Sequence, residues 1–97
     1  MDKIVKFMQW DCKVLKRKYT NNDRVALELS DATDGETIAI ATINVPEVAL
    51  APDEVIIKDY SENAGMLDCL LKAGIVEKSG RTVKHGYTES PICILCI

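Results

Sequence analysis

An α+β domain, with an antiparallel sheet of about five or six strands and one helix over about 61–73 packed on one face, is what this sequence predicts. Three observations carry that reading. Met66, Leu67, Leu70 and Leu71 fall on one stripe at helical spacing, and Gly74 follows as a left-handed stop. Val25, Leu27 and Leu29 alternate with Ala26, Glu28 and Ser30, the period-two pattern of a half-buried strand. Elsewhere the apolar runs are short and bounded by Gly, Pro, Asn and Asp, which favours strands joined by turns. The 97 residues form a single domain, 1–97, without a repeat, linker or low-complexity tract.

Taken in order, residues 4–10 read as a first strand and about 12–19 as a second. Thr20 to Asp23 is turn chemistry, because Asn and Asp bond their own backbone and tolerate left-handed angles. The strand from Val25 is closed by a hairpin at Asp31 to Gly35, with Asp34-Gly35 as its signal. The return strand, 37–45, changes phase: Ile38 and Ile40 share one parity, Ile43 and Val45 the other. A bulge near Ala41-Thr42 would reconcile them. Pro46 and Pro52 bracket a loop, since each removes a ladder donor.

Glu54 to Lys58 is a short strand running into the helix. Asp59 caps that helix and Glu62, three residues on, completes a capping-box pattern, with Ser61 as an alternative cap. After Gly74, Ile75 to Glu77 is extended, Lys78-Ser-Gly80 turns, and Arg81 to Lys84 is another short strand. His85-Gly86 interrupts, and Tyr87 to Leu95 is the last strand, with Pro91 at an edge or bulge. A sheet covered by one helix would leave its second face partly open. Trp10, Val14 and Tyr19 are expected there as a contact for a homodimer or other partner.

Charge is segregated along the chain. Residues 1–22 hold six cations and two anions, a balance of +4, whereas residues 23–68 hold eleven acids and only Arg24 and Lys58, a balance of −9. The remainder carries +2, and the whole −3. The basic cluster Lys13, Lys16, Arg17, Lys18 and Tyr19 suggests contact with the phosphates of a nucleic acid, although the pI near 5.1 argues against such a module. The acidic middle suggests a face for a basic partner surface: Asp31, Asp34 and Glu36 on the hairpin, then Asp53, Glu54, Tyr60, Glu62 and Asn63 around the start of the helix.

Catalytic chemistry is hard to assemble from these residues. His85 is the lone histidine, no serine or cysteine sits in a nucleophile elbow, and the five glycines are scattered rather than gathered in a phosphate loop. The chain is therefore read as non-enzymatic, with no cofactor. Cys12, Cys69, Cys93 and Cys96 are expected to be reduced, mostly packed thiols. A zinc site at Cys93-x-x-Cys96 would need two further ligands and would use side chains on opposite faces of a strand. The N-terminus lacks a leader's apolar region and no run is long enough to span a bilayer, so a cytosolic protein is expected.

Several segments carry a resemblance: Tyr19 to Leu29, Leu50 to Met66, Ala73 to Glu77, Gly80 to Val83 and Tyr87 to Cys93. In these the chain resembles an uncharacterised family of small proteins carried by phages, plasmids and conjugative elements of gut Firmicutes and Bacteroidetes. The resemblance covers most of the chain, the first ten or so residues and the last four excepted. It implies accessory cargo of mobile DNA: defence evasion, plasmid maintenance or regulation of the element. It carries over no catalytic residues. With the acidic middle, it leads to the expectation of an anti-CRISPR-like inhibitor, in which acidic groups mimic phosphates toward a basic groove of a host effector. A nucleic-acid-binding accessory or regulator using residues 13–19 is the second expectation, and a metal-binding or redox module the third.

Overall fold

The computed structural model describes residues 4–97, and within them the chain is α+β with eight strands and one short α-helix. The strands form two antiparallel sheets of four, not one sheet of five or six. The first sheet has the order β1-β2-β3-β4, from Ile4–Phe7, Trp10–Lys18, Val25–Asp31 and Thr37–Ile40. The second has the order β5-β6-β8-β7, from Thr42–Ile43, Glu54–Ile57, Thr88–Leu95 and Val76–His85.

The phase change in the return strand marks where one sheet becomes two. Ala41 separates β4 from β5 and bonds in both directions: its N–H donates to Leu27 O at 2.8 Å, and its carbonyl accepts from Lys58 N at 2.8 Å. The fully buried Ala41 thus hands the chain from the first sheet to the second. A separate bulge between Leu29 and Ser30 leaves Ile38 unpaired opposite β3.

The two sheets and the helix share one core. Val5, Phe7, Cys12, Leu27 and Leu29 come from the first sheet, Val55, Ile57, Val76 and Cys93 from the second, and Met66 and Leu70 from the helix. Trp10 and Val14 pack against this core, and the Tyr19 hydroxyl bonds Thr42 Oγ1 at 2.8 Å. The expected open face bearing these three residues is therefore corrected: the second sheet covers it. β6 is buried on both faces, since Ile56 points the other way into a smaller cluster with Val45 and Ile92. The 46–50 loop covers that cluster through Val48 and Leu50. The Arg24 guanidinium secures the loop by donating to the carbonyls of Val45 and Val48, the former at 2.9 Å.

The helix, α1, is Met66–Lys72, shorter than the expected 61–73, because Ser61–Asn63 form a 3-10 turn instead. Left-handed backbone at Gly65 (φ 95°) separates the two, and the turn itself opens on a left-handed Ser61 (φ 56°). Asp59 still caps α1, but from across that turn: Oδ1 accepts from Gly65 N at 3.1 Å and from Leu67 N at 2.9 Å. Glu62 does not complete a capping box; it pairs with Lys58. The C-terminal stop is as expected. Gly74 has φ 71°, Gly74 N donates to Leu71 O at 3.1 Å and Ile75 N to Leu70 O at 3.0 Å, the two bonds of a Schellman motif.

Two further boundaries shift. The first strand ends at Phe7, and Met8-Gln9 form a two-residue turn with Met8 at φ 56°. Lys78-Ser-Gly80 is not a turn between strands: β7 continues through it to His85, with a bulge between Lys78 and Arg81. Gly80 (φ 85°) makes the bulge possible, and Ser79 Oγ ties it down by donating to Ile92 O at 2.6 Å. Pro91 lies one residue before β8 begins to pair with β6, at Ile92 opposite Ile56.

Candidate functional site

Two hairpin turns of the first sheet sit side by side at one end of it. β1 and β3 both run toward this end, so the Met8-Gln9 turn and the Asp31–Glu36 turn emerge together. Ala32 N donates to Asp11 O at 2.9 Å and joins them, and Asp31 lies opposite Cys12 in the β2–β3 ladder. Asx turns hold the second hairpin. Asp31 Oδ1 accepts from Thr33 N at 2.8 Å, and Asp34 Oδ1 from Glu36 N at 2.9 Å.

Four carboxylates, those of Asp11, Asp31, Asp34 and Glu36, are gathered here, and none is in an ion pair among the described residues. Met8, 53% exposed, and the half-buried Trp10 lie on the neighbouring turn. Sequence reading singled out three of these acids, and placed Trp10 on an open sheet face instead, but passed over Asp11 and Met8. Their signal was available only through register: a turn at Met8-Gln9 is needed to bring Asp11 to the same end as Asp31.

The other five residues of the expected acidic face lie on the second sheet and the approach to α1. Asp53 and Glu54 stand at the start of β6, whereas Tyr60, Glu62 and Asn63 follow its end, and β6 alone is about 13 Å long. Glu54 is engaged, its side chain 11% exposed. It accepts from Ala51 N at 2.8 Å and receives Arg81 Nη1 on both oxygens at 3.0 Å. The Ala51 amide first, then the Arg81 guanidinium, hold its carboxyl below the usual range. Lys58 does the same for Glu62 and also lies 5.6 Å from the centre of the Tyr60 ring. Asn63 is a correction: it is only 2% exposed and its Nδ2 donates to Ile40 O at 2.8 Å, so it closes the β4 edge rather than presenting a surface.

The basic cluster is divided. Lys13 and Arg17 share one face of β2, and Arg17 is paired with Glu28 at 3.1 Å. Lys16, on the other parity, donates to Ile97 O at 3.2 Å. Lys18 is exposed, while Tyr19 is half-buried in its bond to Thr42, and burial raises its phenol pKa. Cys12 and Cys93 are buried thiols whose pKa burial pushes up to about 11, which disfavours the reactive thiolate.

One prominent feature was missed altogether. On the tip side of Pro91 the β7–β8 hairpin has no β6 neighbour; Ser90 is still buried and Val83 packs against the Val45 cluster, and the hairpin ends in a fully exposed Tyr87 beside Gly86 (φ 62°). The His-Gly-Tyr-Thr turn between two strands is its sequence signal. No helix among the described residues is long and apolar enough to cross a membrane. No family model matches this chain, and no curated protein or solved structure matches it.

Proposed function

We propose that this chain is a non-enzymatic interaction protein that presents the turn end of its first sheet to a basic surface on a partner protein. The observation that carries the reading is the pairing of the two turns, which collects Asp11, Asp31, Asp34 and Glu36 beside the exposed Met8. Aromatic residues and Met are enriched in interface cores, whereas charges belong to the rim, where they steer encounter and select the partner. Carboxylates without intramolecular cations keep their full attraction for lysine and arginine on another molecule. The same charges repel free nucleic acid.

A surface of this kind competes with phosphates for a basic groove. Joined to the resemblance to cargo of mobile elements, it supports an inhibitor of a host defence component, with a CRISPR effector as the type of target that owns such a groove. The test is capture from host-cell lysate with the wild-type protein and with Asp31→Lys, Asp34→Lys and Glu36→Lys combined. The reading expects loss of the captured partner on charge reversal, and wild-type capture that weakens as salt is raised. Equal capture by both proteins would remove the acidic end as the contact.

A further inference from the structure

No further inference is drawn: the strongest candidate, the apolar pocket of about 220 Å3 between the start of α1 and the bulge of β7, lined by Leu67, Gly80, Thr82, Pro91 and Ile92, carries none because nothing in the structure shows what covers it.

Discussion

Asp59 shows how a single residue can do the expected work from an unexpected place. Its carboxylate accepts the amides of Gly65 and Leu67, six and eight residues on, and so caps α1 without being adjacent to it. Asp59→Ala should therefore cost about 1 kcal/mol in denaturant unfolding, as a local N-cap would. Glu54 and Glu28 make a second case. The Ala51 amide lowers the pKa of the first, and the Thr37 hydroxyl that of the second, with Arg81 and Arg17 respectively reinforcing the effect. A carboxyl whose pKa is lower folded than unfolded stabilises the fold above its unfolded value, near 4.3, and loses that contribution as pH falls through the folded one. Stability should accordingly decline on acidification from about pH 5. Glu54→Gln should flatten that decline, which a set of thermal melts across acidic pH would read directly. The residue scale is also where the sequence was least able to separate surface from structure. Glu54, Glu62 and Asn63 look alike as polar residues, and only long-range partners distinguish them from Asp34.

At the scale of elements, most boundaries were legible because each has a local chemical cause. The Asp34-Gly35 hairpin, the proline-bounded loop and the Gly74 stop are written in the residues that perform them. What was not legible depends on tertiary hydrogen bonds. The phase change around Ala41 announced an irregularity, but a bulge and a change of sheet leave the same trace in a single strand. The bonds to Leu27 and Lys58 decide between them. Likewise, Ser79-Gly80 has turn composition, yet the Ser79 hydroxyl and the β8 ladder keep β7 continuous. An added Cβ at Gly80 meets nothing within 4 Å, so Gly80→Ala should cost only the strain of a left-handed alanine, about 1 kcal/mol. The 46–50 loop depends on Arg24. Arg24→Met should destabilise the protein by about 1.5–3 kcal/mol and speed amide exchange in that loop ahead of the sheets.

The whole molecule is a pair of sheets closed by one helix around a common core, and this arrangement decides which surfaces remain for recognition. Because Trp10, Val14 and Tyr19 serve the interior, the face first expected to meet a partner is used in folding. Under the proposed function, recognition is left to the periphery. The two surfaces that remain are the acidic turn end of the first sheet and the tip of the β7–β8 hairpin at Tyr87. Leu70 touches the core that both sheets share, so Leu70→Ala should cost about 2–5 kcal/mol. It should also lower a single unfolding transition, rather than loosen one sheet alone. A photo-reactive residue placed at Asp34 in one sample and at Tyr87 in another, followed by cross-linking in host lysate, compares the acidic end with its most exposed rival. The account predicts a captured partner from the Asp34 position and none from Tyr87. A partner captured only through Tyr87 would contradict it.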